Sequence, residues 1–333
     1  MNLHRLLLLG IVVALSGCDN VAWGGIDVKL ETSAERLGTD TLPLPAEGEE
    51  AGATDTLPEV EIGRLLLIGR PRDGQVDLTV VGQLVQGQLL ATPTSPRAKQ
   101  VIADRLSAGQ RFTLFSEGSR VGTLFAESAQ MSSAYCGSHP SIRGLAELVA
   151  TAAQARQFIA IEGDGLGTVQ APFRNLTHEY DHRVASLAMM RDAIDLLGAD
   201  FPPSILDIRR DIQLFQNPAD STPMIAATFV HEDRLRTGSA PAEAYSVFLL
   251  GSDPGTGYQT SFLTYRRVGD DGKGAPRFFD HLDWDGDGES EVLLEVMGES
   301  TTWVSALDQG TAGWAEAYHD ACGLDTPRSN DTP

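Results

Sequence analysis

Near the end of this 333-residue chain lies Phe278-Phe-Asp-His-Leu-Asp-Trp-Asp-Gly-Asp-Gly-Glu-Ser-Glu-Val-Leu-Leu294. Aspartates alternate at 283, 285 and 287, and Gly288 and Glu291 follow them. Acidic residues at alternate positions let a tight loop turn several hard oxygens inward, and Ca²⁺ takes roughly 6–8 of them. Gly286 and Gly288 permit the backbone angles that such a loop needs. The spacing therefore predicts a calcium-binding loop.

The acidic loop differs from an EF-hand in where its last acid falls. An EF-hand shares the opening aspartates but places a bidentate Glu at loop position 12 and then continues as a helix. Counted from Asp283, that position is Leu294, which cannot ligate a cation, whereas Glu291 comes three residues earlier. The segment 291–297 is an apolar run with strand character. The pattern resembles the calcium loops of FG-GAP and VCBS-type repeats, found in integrin-like propellers and bacterial envelope proteins.

This resemblance implies a specific ligand set for the ion. Asp283, Asp285, Asp287 and Glu291 would provide side-chain oxygens, and Glu289 would provide its backbone carbonyl. A bound cation is expected because four acids at ligand spacing repel one another without one. The ion would be structural and is not evidence of catalysis. The alternative is a solvated acidic hairpin that binds no metal. The motif occurs in one clear copy, so a complete propeller is not implied.

The N-terminus has the features of a bacterial export signal. Residues 6–15 form an apolar run that is too short to span a bilayer alone, and Leu15-Ser-Gly-Cys18 follows. These four residues resemble the lipobox of bacterial lipoproteins. The resemblance implies that residues 1–17 are removed and that Cys18 carries a lipid anchoring the chain in the cell envelope, on the periplasmic side or the cell surface. The alternative is an ordinary secretory signal with an incidental cysteine.

The charge of the chain limits its partners. The net charge is −21, and removal of residues 1–17, which contain Arg5 and no acid, leaves 24 basic against 46 acidic residues, a net −22. So acidic a body disfavours nucleic acid and anionic lipid surfaces. Membrane contact is expected only through the lipid, and a protein or glycan ligand remains open.

The chain separates into five segments by composition. Residues 1–17 are the signal peptide, and 18–58 form a flexible acidic tether that contains Thr-Asp-Thr-Leu-Pro twice and too few large apolar residues for a core. A mixed α/β region is predicted for 59–200 and a β-rich region with the calcium loop for 201–323. Residues 324–333 are expected to be a disordered tail.

The periodicity of the body predicts an α+β, β-rich fold. Helices are expected in the middle of the chain, at 96–106, 144–156 and 175–197. The C-terminal half contains short apolar runs with regular turn signals, which are typical of an antiparallel meander. One blade-like sheet carrying the acidic loop fits this half.

A second motif suggests a different chemistry. His178, Glu179 and His182 satisfy His-Glu-x-x-His, which on a helix places two imidazoles on one face with a general base. It resembles the zincin metalloprotease signature, so a zinc metalloprotease is the alternative to a binding or scaffold role. Against this, no third ligand stands at the spacing of the longer signature, and the apolar stripe lies roughly opposite the two histidines. A solvated helix face is the preferred interpretation, and the protein is not expected to be an enzyme.

Two cysteines remain once Cys18 is assigned to the lipid. In an oxidising compartment, Cys136 and Cys322 are expected to form a disulfide, which requires Cα atoms within about 7 Å of each other. The alternative is a reactive Cys136 thiol near His139.

Overall fold

A computed structural model describes residues 61–164, 166, 173–174, 176–177, 179–216 and 221–323. The chain divides into two units, Met1–Thr56 and Leu57–Pro333, and every described residue belongs to the second. The predicted signal peptide, the lipidation site Cys18, the whole tether and the tail at 324–333 lie outside the described residues. Strands and antiparallel sheets dominate what is described, which confirms the α+β, β-rich fold.

The first seven strands form one antiparallel sheet that closes on itself. Its order is β1-β7-β4-β5-β6-β2-β3, and β1 also pairs with β2, so six strands form a closed ring and β3 extends it. The strands are β1 (Arg64–Arg72), β2 (Gln75–Val85), β3 (Gln88–Leu90), β4 (Arg111–Ser116), β5 (Ser119–Ser132), β6 (His139–Leu148) and β7 (Phe158–Glu162).

Tight turns join the hairpins of the ring. In the β4–β5 turn, Glu117 and Gly118 both have positive φ, 50° and 68°, and the β2–β3 turn repeats this at Gln86 and Gly87. Two-residue turns with positive φ at both positions match the right-handed twist of the strands that they join. The ring is therefore held in register by its turns as well as by its core.

Helix α1 (Pro96–Arg105) covers part of the ring's core. Ser95 caps it, its hydroxyl accepting the Ala98 N–H at 3.2 Å, and Pro96 occupies the first turn. Such a cap contributes about 1 kcal/mol. Ala98 and Ile102 of the helix pack into the cluster of buried apolar side chains that fills the ring.

Two four-stranded antiparallel meanders, which we name blade 1 and blade 2, follow in the C-terminal half. In each, the strands are neighbours in chain order. The sequence indicated one such sheet, and the structure has two. Blade 1 contains β8 (Arg209–Gln216), β9 (Pro223–His231), β10 (Tyr245–Ser252) and β11 (Gln259–Arg267), and blade 2 contains β12 (Gly274–Leu282), β13 (Glu291–Gly298), β14 (Thr302–Gly310) and β15 (Gly313–His319).

Blade 2 packs on the ring with one face and on blade 1 with the other. On its first face, Phe279 and Leu293 share a buried cluster with Ile68 of the ring. On its second face, Leu294 shares a cluster with Phe248 of blade 1. Alternate residues of β13 thus serve opposite faces, as the pleat of a strand requires.

The remaining helices belong to blade 1 and its connections. They are α2 (Tyr180–Leu197), α3 (Ile205–Ile208) and α4 (Val268–Asp271). Short 3₁₀ turns lie elsewhere, at Ala150–Ala152 between β6 and β7 and at Ala321–Gly323 after β15. Helix α2 packs Met190 and Ile194 against the outer apolar face of blade 1. It ends at Gly198, whose φ of 61° terminates the helix in the left-handed region.

Of the three predicted helices, the first is confirmed, the third begins later, and the second is wrong. The third prediction covered 175–197, whereas α2 starts at Tyr180. In the segment 144–156, the first five residues, 144–148, belong instead to β6, where they pair with β5, and Ala150–Ala152 form a short 3₁₀ turn. The Ala, Leu and Glu content of the segment favours a helix, but pairing with β5 outweighs that weak local preference.

The two remaining cysteines meet across the fold. The Cα atoms of Cys136 and Cys322 lie 6.0 Å apart, a separation that a disulfide spans, and the structure pairs them across 186 residues. The bond ties the β5–β6 connection to the segment after β15. Among the described residues, none of the helices has the length and apolar character needed to cross a membrane.

Candidate metal centre

The acidic loop joins the first two strands of blade 2. Strand β12 ends at Leu282 and β13 begins at Glu291, and these two residues are paired across the hairpin. Within the loop, Gly286 and Gly288 have φ of 86° and 99°, in the region that L side chains avoid. These two glycines let the backbone coil tightly enough to turn the intervening side chains toward one point.

Three aspartates of this loop converge. One carboxylate oxygen from each of Asp283, Asp285 and Asp287 lies within 4.8 Å of the other two. The N–H groups of Gly286 and Gly288 donate to Asp283 at 2.7 and 3.2 Å, and the N–H of Asp287 donates to Asp285 at 3.0 Å. The loop's own amides therefore fix the carboxylates in place, and the group can hold a metal ion.

The two predicted glutamate ligands flank this group. The N–H of Glu289 donates to Asp287 at 2.8 Å. Glu291 is buried, and its carboxylate accepts the N–H of Trp284 at 3.0 Å. Three of the predicted side-chain ligands thus lie together, and the fourth is held beside them at the start of β13.

Negative charge accumulates at this loop, and no lysine or arginine of the described part of the chain forms an ion pair with Asp283, Asp285 or Asp287. Burial, reinforced by the charges of neighbouring aspartates, raises the pKa of Asp283 and of Asp285 even though backbone amides oppose the shift. Burial also raises the pKa of Glu291 to about 9, with Asp285 and Asp283 adding to the effect. An all-oxygen donor set of this charge fits a hard divalent cation such as Ca²⁺.

The loop also touches the ring, which the sequence did not reveal. Gly87, in the β2–β3 turn, has φ of 83° and lies so close that a Cβ placed on it would sit 2.7 Å from the Cβ of Asp285. The candidate metal loop is therefore packed against a hairpin turn from a different sheet.

A second cluster of ligand-type side chains lies where another turn of the ring meets blade 2. Ligand atoms of Glu117, Asp280 and His281 all lie within 4.8 Å of one another. Asp280 accepts the Glu117 N–H at 3.2 Å and the His281 N–H at 2.8 Å. A Cβ on Gly118 would lie 2.5 Å from Nε2 of His281, so the turn sits directly on the imidazole.

Sequence reasoning missed this second cluster. The only local signal was Asp280-His281, a polar pair inside an apolar strand, and both residues are buried. The register of β12 shifts between Phe278 and Asp280, a local irregularity of the kind that re-aims side chains. Burial, followed by the charge of Asp280, raises the pKa of Glu117 to about 8.

The described residues of the His-Glu-x-x-His segment lie at the start of α2. His178 lies outside the described residues. Glu179 has extended backbone and precedes the helix, and its N–H donates to Nδ1 of His182 at 2.9 Å. The ring of His182 also contacts Tyr258 edge to face, at 5.8 Å between centroids. His182 thus caps the helix.

One cavity in the described part of the chain contains a hydroxyl paired with a carboxylate, because the Ser305 hydroxyl donates a hydrogen bond to Glu316. This cavity of about 150 Å³ lies between the two blades, where Arg266 stands over the Trp303 ring at 5.8 Å and Glu316 and His319 complete the polar lining. This volume is below the range of roughly 300–1,000 Å³ typical of small-molecule sites. A groove of about 480 Å³ between α1 and the β5–β6 hairpin is lined mainly by apolar side chains such as Ile102.

Comparison with known proteins adds no assignment to this geometry. No family model matches the sequence, and neither a curated protein nor a solved structure matches it significantly.

Proposed function

We propose that this chain is a bacterial envelope lipoprotein whose β-rich domain is stabilised by one calcium ion and serves a binding or scaffold role. The observation that supports it most is the convergence of Asp283, Asp285 and Asp287 in a loop whose own amides position them. The lipobox at Leu15–Cys18 supports the anchoring.

Calcium suits the donors better than the common alternatives. The ligands would be the three aspartates, with Glu291 and the carbonyl of Glu289 completing the set suggested by the resemblance to FG-GAP loops. Every donor is an oxygen, which suits Ca²⁺ and Mg²⁺ and disfavours softer ions. Mg²⁺ requires a smaller octahedral shell and gives up water reluctantly, so a loop of this kind favours Ca²⁺.

The ion's role would be structural. Asp285 lies against Gly87 of the ring, so neutralising the loop would also stabilise its contact with a second sheet. A ligand that binds only the folded state stabilises it by mass action, by about 2.7 kcal/mol at a concentration 100 times the dissociation constant. A calcium-dependent gain in melting temperature is therefore expected.

Calorimetry on the purified full-length chain tests the calcium site. After treatment with chelator, we expect one equivalent of Ca²⁺ to bind and to raise the melting temperature, and we expect Asp285→Asn to abolish both effects. Asp253→Asn is the matched control, because Asp253 is a half-buried loop aspartate of blade 1 that accepts two backbone N–H groups at 2.8 and 2.9 Å. Folded protein that takes up no Ca²⁺ at millimolar concentration would show that the loop is an acidic turn.

Fractionation of cells tests the anchor separately. Cys18→Ser is expected to leave the precursor unprocessed or to release the protein from the membrane fraction. Ser16→Ala, which keeps the cysteine, is the matched control and should behave as the wild type. Normal processing and membrane retention of Cys18→Ser would refute lipidation without affecting the calcium proposal.

A further inference from the structure

We propose that Glu117, Asp280 and His281 form a second metal site, for a divalent transition-metal ion such as Zn²⁺, at the junction of the ring and blade 2. Their ligand atoms lie within 4.8 Å of one another. The site is separate from the acidic loop and does not depend on calcium binding there.

The imidazole of His281 supplies the first independent argument. His281 is only 5% exposed, and its Nδ1 is the one buried side-chain nitrogen or oxygen among the described residues that lacks a hydrogen-bond partner. Nδ1 lies 3.6 Å from Oδ1 of Asp280, too far for a good hydrogen bond. An unsatisfied buried polar atom costs about 1–3 kcal/mol, so an atom left in this state beside the Asp280 carboxylate indicates a missing partner.

The charge of the cluster supplies the second argument. Asp280 is 1% exposed, and among the described residues no lysine or arginine forms an ion pair with Asp280 or Glu117. Elsewhere in the same blade, buried Glu295 is paired with Arg70 and Arg277. Two carboxylates held together in a low-dielectric setting need a cation or a proton to balance them.

The donor types determine the class of ion. Carboxylates alone would suit calcium or magnesium, but imidazole favours zinc, copper, iron or nickel. One imidazole and two carboxylates are a donor set that Zn²⁺ accepts, with further positions left for water. Because Glu117 lies on a half-buried turn, the ion has a route from the surface.

The backbone pre-positions these donors. Asp280 is fixed by two backbone N–H groups, and the ring of His281 packs at 4.9 Å between centroids from Phe215 of blade 1. Gly118 lies against the opposite nitrogen, Nε2, so the imidazole cannot swing away on that side. A bound ion would thus link the ring to blade 2 at the point where blade 1 also makes contact.

Titration with Zn²⁺ and Co²⁺ tests the proposal on the full-length chain, stripped with chelator and then supplied with excess Ca²⁺. We expect one equivalent to bind, with a rise in melting temperature and visible Co²⁺ absorption bands. Glu117→Gln and His281→Gln should each weaken Zn²⁺ binding by at least the roughly 10–100-fold that loss of an outer-shell partner costs. Glu117→Gln decides the matter if His281→Gln does not fold, because its side chain lies on a turn.

Two further variants identify where the ion binds. Asp285→Asn should lose Ca²⁺ binding and keep Zn²⁺ binding. His319→Gln removes a surface imidazole 3.8 Å from Glu316 and should leave Zn²⁺ binding unchanged. The proposal is overturned if the wild type binds no Zn²⁺, in which case the cluster holds protons. It is also overturned if folded Glu117→Gln binds Zn²⁺ as the wild type does, or if His319→Gln abolishes Zn²⁺ binding.

Discussion

Blade 1 and blade 2 have the same topology but differ in the charged side chains that their strands bury. Each consists of four consecutive antiparallel strands. The strands of blade 2 bury Asp280, His281, Glu291 and Glu295, whereas the described strand residues of blade 1 bury no charged side chain. Because the topology is the same, it cannot account for the difference in buried charge. The difference follows from the elements against which each blade packs.

The partners of each blade explain the contrast. The outer face of blade 1 is covered by α2, which packs apolar side chains into the buried cluster there and accepts hydrogen bonds from Arg209 of β8. Blade 2 faces the ring, which supplies Arg70 to buried Glu295 through two hydrogen bonds of 2.9 and 2.7 Å. Tyr135 donates to the same carboxylate at 2.7 Å, and Arg277 completes the set. Apolar packing thus holds blade 1, and specific charge pairing orients blade 2.

Breaking the disulfide that ties the ring to the segment after blade 2 should have the largest effect on stability. Cys322→Ser opens a loop of 186 residues, and the chain-entropy model predicts a loss of roughly 5 kcal/mol in the free energy of unfolding. Urea denaturation of the variant and of the reduced wild type measures it. Equal stability of wild type and variant would mean that the ring and blade 2 are held together without this bond.

Removing the buried carboxylate of Glu295 should cause the second largest loss of stability. Glu295→Gln leaves Arg70 and Arg277 without a charge partner, and we expect a loss of about 3 kcal/mol, at the low end for a buried pair because both arginines are partly exposed. Glu299→Gln, on the exposed turn of the same blade, should change stability by less than about 0.5 kcal/mol. Similar values for the two variants would contradict the charge-pairing account.

The pKa of the Glu295 carboxylate predicts how the stability of the protein depends on pH. Burial alone would raise the pKa of Glu295, but Arg70 and then Arg277 outweigh it and lower the pKa to about 2 from a usual value of 4.5. A lowered pKa stabilises the folded state above the unfolded-state value and loses that effect as pH falls through the folded-state value. The stability advantage of wild type over Glu295→Gln should therefore shrink between about pH 4.5 and pH 2. An advantage that stays constant across this range would refute the shift.

A substitution in the apolar core between α2 and blade 1 should cause a smaller loss of stability, and one that does not depend on pH. Ile194 of α2 is 2% exposed, and Ile194→Val should cost about 1 kcal/mol through the lost methylene. Because no charge takes part, the loss should be the same at pH 3 and pH 7 and unaffected by chelator. A loss that changes with pH would mean that the two blades are coupled more closely than their interiors indicate.

The cap of α2 should give the smallest change. His182→Ala removes the acceptor for the Glu179 N–H and should cost about 0.5–1 kcal/mol, whereas His182→Gln keeps an acceptor at the third helical position and should restore most of it. Thermal unfolding measures both. Chelator-sensitive peptidase activity lost in both variants would instead revive the metalloprotease hypothesis.

The sequence predicted local features well and distant pairings poorly. It located the acidic loop and most blade strands, because turn residues and apolar runs are local signals. It missed the closed ring, since β1 meets β7 only through pairing across some 90 residues, such as Leu66 with Ile161. It also missed the contacts of Glu117 with His281 and of Arg70 with Glu295, because no short-range pattern predicts which charged residues pair across the fold.

The two ring glycines at hairpin turns have a further consequence. Gly87 lies against Asp285 and Gly118 against His281, each with no room for a methyl group. These two glycines set how closely blade 2 packs on the ring, because at both turns the backbone itself is in contact with a side chain of blade 2. A single methyl at either turn would hold the sheets apart near a candidate metal centre without altering any ligand. The distance between the ring and blade 2 is therefore set at the two turn positions that are occupied by glycine.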